Sequence, residues 1–181
     1  MRNYNRNPTI LELKDQLMLT IFGSYENKTA IAELVSLKDS LQADGYKKCK
    51  LVRDYAFPRK NPNENYDQYF NRKSIYWIQN SDACIFVFLD GVRNDGVAFE
   101  LQYTCYNLEE KLETSLIAID SKCSRYTTSL LRGKIATLLQ DEKIIQFLFK
   151  NRGQLFNRCK KSSLSFLKIR QYYLLERIKK Y

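Results

Sequence analysis

The feature that most constrains the fold is the apolar run Ala83-Cys84-Ile85-Phe86-Val87-Phe88-Leu89. A strand with one face in water alternates apolar and polar residues, whereas a central strand of a parallel sheet is covered by helices on both faces. The run has no polar position, so it predicts such a strand, with Ile85 and Val87 buried. The residues that follow, 90–96, are polar and predict a loop at the carboxyl end of this strand.

Apolar spacing along the rest of the chain predicts strands and helices in alternation. Strands are predicted at 17–22, 49–52, 83–89 and 115–119, helices at 28–43, 66–79, 97–111 and 127–140, a loop at 56–65, and an amphipathic segment at 162–181, while 144–149 fits either a strand or a helix. Alternation of this kind predicts an α/β fold: a three-layer Rossmann-like or flavodoxin-like parallel sheet in the order 2-1-3-4-5, with an added C-terminal basic amphipathic helix.

The same pattern predicts the domain organisation. Residues 1–16 form an N-terminal extension whose first seven residues are disordered, 17–150 form the α/β domain, and 151–181 form a basic C-terminal helical segment. No apolar run reaches the roughly 20 residues of a membrane span, and the polar N-terminus lacks the apolar stretch of a signal peptide. We therefore expect a cytoplasmic protein that does not contact membranes.

Histidine is absent from the chain, and this excludes several kinds of site. Catalytic triads with histidine and HExxH zinc sites cannot form, so an acid or base must be Asp, Glu, Tyr, Lys or Cys. The five cysteines are odd in number and show no CxxC spacing, which argues against a disulfide framework and a structural zinc site. We expect no metal and no cofactor.

Ligands of parallel sheets bind outside the carboxyl ends of the strands. Those ends are predicted at Gly23-Ser24-Tyr25, at Asp54 and at the loop 90–96. The chain has neither GxGxxG nor GxxxxGK[ST], so a phosphate loop of either kind is not expected. The predicted site is lined by Gly23, Ser24, Tyr25, Asp54, Asp90, Asn94, Asp95 and Glu100.

Three carboxylates of this edge are candidate catalytic groups: Asp90, Asp95 and Glu100. Asp95 is predicted to cap the helix that follows the loop, and the helix N-terminus would favour the ionised form of Glu100. An ionised carboxylate in a cleft can attack an anomeric carbon or stabilise an oxocarbenium ion. The alternative reading is that Asp95 and Glu100 only cap the helix and complement its dipole.

The segment Asp90–Tyr103 (DGVRNDGVAFELQY) resembles the signature loop of the nucleoside 2-deoxyribosyltransferases. In that family an apolar strand ends in a DG-type turn and a D-x-G-T-A-x-E-x-G-Y-like segment opens the next helix. Ile21-Phe22-Gly23-Ser24 is similar to the first strand and turn of the family, and Asp82 matches the residue before its third strand. The resemblance covers residues 18–120 and implies the same fold.

The resemblance also implies roles for individual residues. The helix glutamate of the family, which takes the sugar from the base, corresponds to Glu100, and the carboxylate six positions earlier corresponds to Asn94, with Asp95 one place closer. The aspartate that the family keeps in the helix before the third strand is missing from Asn71–Ser74. A tyrosine of the first strand is replaced by Ile21, with Tyr25 nearby.

These observations leave three functions open. The first is an enzyme, a deoxyribosyltransferase or N-glycoside hydrolase, with Glu100 as nucleophile and a nucleoside or nucleotide as substrate. The second is a nucleotide-sensing module with the same pocket and no turnover. The third is a nucleic-acid-binding protein that acts weakly through residues 150–181.

Charge and apolar spacing in the C-terminal segment suggest two kinds of partner. Residues 142–181 hold eleven Lys or Arg against two acids, whereas the remainder is nearly neutral. The apolar stripe (Leu164, Leu167, Leu174, Leu175 and Ile178) must be covered by the body of the protein or by a second copy. Because the resembling family commonly builds its sites at subunit contacts, we expect a homodimer.

Overall fold

The structure, a computed structural model, describes residues 9–123 and 126–179, and the side chains up to residue 169. The predicted disorder of residues 1–7 lies outside the described residues. Along the chain the elements are α1 (Ile10–Gln16), β1 (Leu19–Gly23), α2 (Lys28–Ala43), β2 (Lys50–Leu51), a 3-10 turn (Val52–Asp54), α3 (Tyr66–Asn80), β3 (Ala83–Phe88), α4 (Asp95–Asn107), α5 (Glu109–Leu112), β4 (Ser115–Asp120), α6 (Ser129–Gln140), β5 (Ile145–Phe149) and α7 (Arg152–Lys179).

The five strands form one parallel sheet in the order β2-β1-β3-β4-β5, which confirms the predicted α/β fold and strand order. β3 is central: Ile85 pairs with Ile21 of β1 on one side and with Leu116 of β4 on the other. Ile85 and Val87 are fully buried, as their position in an unbroken apolar run predicts. The reversal of strand order between β1 and β3 places the switch point of the sheet next to β3.

Two apolar layers cover the sheet, one on each face. On one face, α2 and the first half of α7 pack over the sheet through Leu34, Leu37, Leu155 and Phe166. On the opposite face, α3, α4 and α6 supply Ile78, Leu101, Cys105 and Ile135 among others. Alternate residues of β3 enter the two layers, Ile85 and Val87 one of them and Cys84 and Phe86 the other. The architecture is therefore three-layered.

The glycine that ends β1 allows α2 to approach the sheet closely. A Cβ atom at Gly23 would lie 2.6 Å from Cδ2 of Leu34, which is fully buried. Glycine at this position therefore lets β1 end directly beneath α2, and the chain then turns out of the sheet toward the predicted site.

Several predicted boundaries differ from the observed ones. Residues 145–149 are a strand, which resolves the ambiguous apolar run in favour of β5. The predicted helix 97–111 begins earlier, at Asp95, and breaks at Leu108 into α4 and α5. The C-terminal helix begins at Arg152, in agreement with the predicted helical segment 151–181 and ten residues before the predicted amphipathic stretch, because Leu155 and Cys159 already pack against the sheet.

The first half of α7 is covered by the body of the protein. Cys159, Ser163, Phe166 and Leu167 are buried, whereas Leu164 is 39% exposed and lies on the outer side. Lys160 forms an ion pair with Asp44 at the end of α2, and Lys14 of α1 pairs with the same carboxylate. Among the described residues, no helix is long and apolar enough to cross a membrane.

A chain of buried hydroxyl groups joins three strand ends on the α3 side of the sheet. Thr20 Oγ1 in β1 shares hydrogen bonds with the Tyr55 hydroxyl, at 2.7 Å, and with Ser81 Oγ, at 2.5 Å. Tyr55 follows β2 and Ser81 precedes β3, so the three groups link the two neighbours of β1 through β1 itself. The Tyr55 ring also stacks on Trp77 of α3, with the ring centroids 3.5 Å apart.

Candidate functional site

The carboxyl ends of the strands meet along one edge of the sheet, and Glu100 lies beside this edge on α4. Oε1 of Glu100 accepts a hydrogen bond of 2.5 Å from Oγ of Ser74 on α3. Ser74 is buried, and the Glu100 side chain is mostly buried with a small exposed fraction. The carboxyl group is therefore held in a fixed orientation between two helices while it keeps access to solvent.

Tyr25 follows β1, and its hydroxyl lies within electrostatic range of the Glu100 carboxyl. Its hydroxyl is buried and has no hydrogen-bond partner among the described residues. Burial, and then the nearby Glu100 carboxyl, raise the pKa of Tyr25 above its ordinary value. The phenol is therefore neutral at physiological pH, and it carries a proton that no described protein group accepts.

The protonation of Glu100 differs from the expectation. Burial raises the pKa of Glu100 from about 4.5 to about 8, and the hydrogen bond from Ser74 opposes only part of this shift. The expectation of an ionised side chain rested on the helix N-terminus, but Glu100 lies five residues into α4, beyond the first turn where that effect acts. At neutral pH the protonated form of the carboxyl therefore dominates.

The Asn94 side chain forms hydrogen bonds with the backbone of its own loop. Its Oδ1 accepts a hydrogen bond from the backbone N–H of Leu89, and its Nδ2 donates to the carbonyl oxygens of Leu89 and Val92. Asn94, not Asp95, is the residue that precedes α4, and its side chain makes no capping bond, so the predicted cap at Asp95 is wrong. The side chain bridges the two ends of the β3–α4 loop instead.

A second contact joins this loop to the one after β1. The Glu26 carboxylate accepts a hydrogen bond of 2.6 Å from the backbone N–H of Arg93, and its other oxygen lies 3.7 Å from the Arg93 guanidinium. The two loops on either side of the switch point are therefore tied to each other, and the sheet edge between them has a defined shape.

Asp90 and Asp95 lie apart from Glu100. Both are exposed: Asp90 lines a cleft of about 560 Å³, and Asp95 lines a separate depression together with Phe99 and Tyr126. Asp95 and Glu100 are five residues apart on one helix, which directs them roughly 140° away from each other. The structure thus does not bring the three predicted carboxylates together.

The cleft beside Asp90 lies where the carboxyl ends of β3, β4 and β5 meet the start of α2. Its walls come from the start of α2, the loop after β3, the end of β4 and the β5–α7 connection, and include Asn27, Thr29, Asp90, Asp120, Lys150 and Arg152. The guanidinium of Arg152 is paired with Glu33 at 2.8 Å. Both acidic and basic groups line the cleft, so its charge favours no single class of ligand.

The remaining predicted residues lie near Tyr25. Gly23 and Ser24 form the backbone that leads to it, and Ser24 Oγ accepts a weak hydrogen bond of 3.4 Å from the Glu26 backbone. Asp54 accepts hydrogen bonds from Lys38 Nζ and the Leu51 backbone. Its charge contributes to the raised pKa of Tyr25.

Sequence reasoning missed the α3 side of the site. Ser74 is the hydrogen-bond donor to Glu100, and the buried Lys73 beside it donates to the Arg53 carbonyl at 3.3 Å, which joins α3 to the end of β2. From the sequence, the segment Asn71–Ser74 is notable only because it lacks the aspartate of the resembling family. Small and basic side chains on an amphipathic helix carry no signal of which neighbour they face, so only the tertiary structure reveals this pair.

No cluster of three or more candidate metal ligands is found among the side chains that the structure describes, those of residues 9–123 and 126–169. Comparison with protein-family models finds no family that matches the chain. Comparison with curated proteins also finds no match.

Proposed function

We propose that the chain binds a nucleoside or nucleotide at the carboxyl edge of the sheet and that Glu100 acts on the N-glycosidic bond of this ligand. One observation carries the proposal: a mostly buried carboxyl, oriented by Ser74, lies within electrostatic range of the buried hydroxyl of Tyr25, whose pKa it raises. A sugar presents hydroxyl groups and an electrophilic anomeric carbon, and these match such a pair. The resemblance of residues 90–103 to deoxyribosyltransferases supports the same reaction class.

In the proposed reaction, an oxygen of the ionised Glu100 forms a bond to C1′ while the bond from C1′ to the base nitrogen breaks. The bonding electrons leave with the base, which takes up a proton. Water or a second base then attacks C1′ and releases the Glu100 carboxylate, which gives hydrolysis or transfer respectively. Tyr25, which stays neutral, donates a hydrogen bond to the ligand, and Ser74 keeps the carboxyl oriented.

The raised pKa of Glu100 gives this proposal a pH dependence. Only the ionised carboxylate is a nucleophile, and with a pKa of about 8 it is the minor form at neutral pH. The rate of base release should therefore rise about tenfold per pH unit below pH 8 and level off above it.

The direct test is to incubate the full chain with 2′-deoxynucleosides, ribonucleosides and their 5′-monophosphates and to measure free base by chromatography. We expect base release that Glu100→Gln abolishes, because glutamine keeps the shape and the Ser74 contact but cannot attack carbon. Glu110→Gln, an exposed position on α5, is the matched control and should behave as wild type. Equal base release by wild type and Glu100→Gln would contradict the proposal.

A second candidate function is binding without turnover. Two observations favour it. The residue of α3 that contacts Glu100 is Ser74, whereas the resembling family keeps an aspartate in this helix. The Glu100 carboxyl is also mainly protonated at neutral pH. In that case nucleosides or nucleotides should raise the melting temperature of the protein while no free base forms across the pH range.

The proposal includes a cytoplasmic location and a homodimer. The five unpaired cysteines, four of them buried, support a reducing compartment. The exposed Leu164 on the outer side of α7 supports a contact with a second copy along this helix.

A further inference from the structure

Exposed aromatic side chains lie along α3 and the loop before it, and the proposed reaction uses none of these rings. Phe57, Tyr66 and Phe70 are 55%, 69% and 48% exposed. Scattered apolar side chains are common on protein surfaces, but neighbouring aromatic rings that face solvent mark interaction sites. We call the exposed surface formed by residues 53–77 the aromatic face.

The rings of this face form two groups along one helix. Tyr66 and Phe70 are stacked at 6.3 Å with an interplanar angle of 27°, and Phe70 also contacts Tyr69 at 5.2 Å. Two turns further along α3, Phe57 packs edge-on against Tyr76 at 5.1 Å. The two groups therefore lie at successive positions along α3, with Tyr66 and Phe70 exposed in the first group and Phe57 exposed in the second.

The loop that carries Phe57 is fixed to α3. Trp77 Nε1 donates a hydrogen bond of 2.6 Å to the Phe57 carbonyl. Arg72 donates to the Arg59 carbonyl and forms two hydrogen bonds with the Glu64 carboxylate, at 2.8 and 2.7 Å. A ligand that docks on this face would not have to order the loop first, which removes one cost of binding.

The charge of the face is positive. Residues 53–77 contain five cationic and three anionic side chains, and two of the anionic ones, Asp54 and Glu64, are already paired with Lys38 and Arg72. Arg53, Arg59 and Lys60 are exposed. Lys60 Nζ lies 5.3 Å from the centroid of the Tyr66 ring, so cation and exposed ring are presented together.

We propose that the aromatic face binds single-stranded nucleic acid. Unpaired bases offer flat surfaces that stack on exposed rings, and the phosphates between them are attracted by neighbouring cations. A duplex keeps its bases stacked on each other, so it can use the cations but not the rings. This site is separate from residues 150–181, the segment that charge alone suggested, and it does not depend on catalysis by Glu100.

The test is fluorescence anisotropy of the full chain with labelled single-stranded DNA and RNA of about twenty nucleotides and with the matching duplex. We expect the single strands to bind at least tenfold more tightly than the duplex. Tyr66→Ala and Phe70→Ala should each weaken single-strand binding roughly fivefold or more. Tyr106→Ala, an aromatic position of similar exposure on α4, is the matched control and should bind as wild type.

The cations are tested by salt dependence. Arg59→Gln with Lys60→Gln should lower the slope of log affinity against log salt by about 1 to 2. Lys143→Gln should leave it unchanged, because Lys143 pairs with Glu109 and precedes β5, the edge strand farthest from β2. Tyr66 is the most exposed of the three rings, so Tyr66→Ala should fold normally, and circular dichroism checks this.

Equal affinity for single strand and duplex, or equal losses in Tyr66→Ala and Tyr106→Ala, would overturn the proposal. Binding that survives every change on the face and disappears when residues 170–181 are removed would assign it to the C-terminal segment instead. Glu100→Gln should bind the strands as wild type, so failure of this proposal and failure of the proposed function are distinguishable.

Discussion

At the scale of single residues, two neighbouring groups at the sheet edge are held in states that a free side chain would avoid. The Glu100 carboxyl is neutral at physiological pH because burial disfavours its charge more than Ser74 favours it. The Tyr25 hydroxyl is buried without a bond to any described residue. Both features reduce the stability of the unliganded protein, and binding of a polar ligand can satisfy both.

Glu100→Gln should flatten the pH dependence of stability. The folded chain keeps its proton on Glu100 up to about pH 8, whereas the unfolded chain loses it near 4.5, so between these values the unfolded state binds fewer protons. Stability therefore falls as the pH rises through this window, by up to a few kcal/mol in wild type. Urea unfolding at about pH 5, 6.5 and 8 measures this slope. The control Glu110→Gln should keep the wild-type slope, and a slope in Glu100→Gln as steep as in this control would contradict the assignment.

Tyr25→Phe should separate stability from binding. The change removes a buried hydroxyl with no described partner, so the free energy of unfolding should stay the same or rise by up to about 1 kcal/mol. Nucleoside or nucleotide binding should weaken about five- to tenfold, because a ligand loses one hydrogen bond. Calorimetry measures the affinity and urea unfolding the stability. A variant that loses stability and keeps its affinity would show that the hydroxyl serves the fold instead.

At the scale of elements, the loop between β3 and α4 is shaped by a single amide side chain. Asn94 makes three hydrogen bonds to the backbone of its own loop. The resemblance equates Asn94 with a carboxylate of the family and so predicts contact with a ligand. In the structure the Asn94 amide instead forms hydrogen bonds with the backbone of its own loop. The sequence predicts where the loop ends, but it does not predict the hydrogen-bond partners of Asn94. Those partners depend on how the loop folds back on β3.

Asn94→Ala should destabilise the protein by about 1–3 kcal/mol, because the buried N–H of Leu89 loses its acceptor. Asn107→Ala, at the exposed end of α4, is the control and should cost less than about 0.5 kcal/mol. Urea unfolding gives both values, and faster hydrogen exchange at the Leu89 amide would locate the effect. Equal small losses in the two variants would refute this role for Asn94.

Elements with a strong local signal were predictable and those defined by packing were not. The run at β3 is apolar on both faces, and this alone predicted its central place. The start of α7 at Arg152 agrees with the predicted helical segment 151–181, but the apolar stripe indicated a helix only from 162, and the burial of Leu155 and Cys159 accounts for the earlier turns. For the site, Glu100 was predicted from its motif, but its contact with Ser74 depends on how α3 and α4 pack.

At the scale of the whole molecule, α7 is longer than the body it covers. Its 28 residues span about 42 Å, whereas the six residues of β3 span about 20 Å. The buried positions from Leu155 to Leu167 account for the first half of the helix. We propose that the second half meets a second copy.

Removal of residues 170–181 should convert a dimer to a monomer without loss of the fold, since the buried half of α7 remains. Removal of everything after Lys160 should also unfold the protein or lower its melting temperature strongly, because Phe166 and Leu167 are part of the core. Light scattering measures the mass and circular dichroism the melting. A full chain that is monomeric, or a chain of residues 1–169 that stays dimeric, would contradict the proposed dimer.

The shared hydrogen bonds of Thr20, Tyr55 and Ser81 also bear on misfolding. Apolar side chains alone do not define the order of the strands, because Leu, Ile and Val pack acceptably in many different neighbourhoods. Three buried hydroxyls do not, because any arrangement that moves β1 out of its place between β2 and β3 leaves them desolvated and unpaired. The hydroxyl chain thus raises the energy of alternative strand orders. The energy gap between the native topology and its competitors widens, even where these hydrogen bonds add little to the free energy of unfolding.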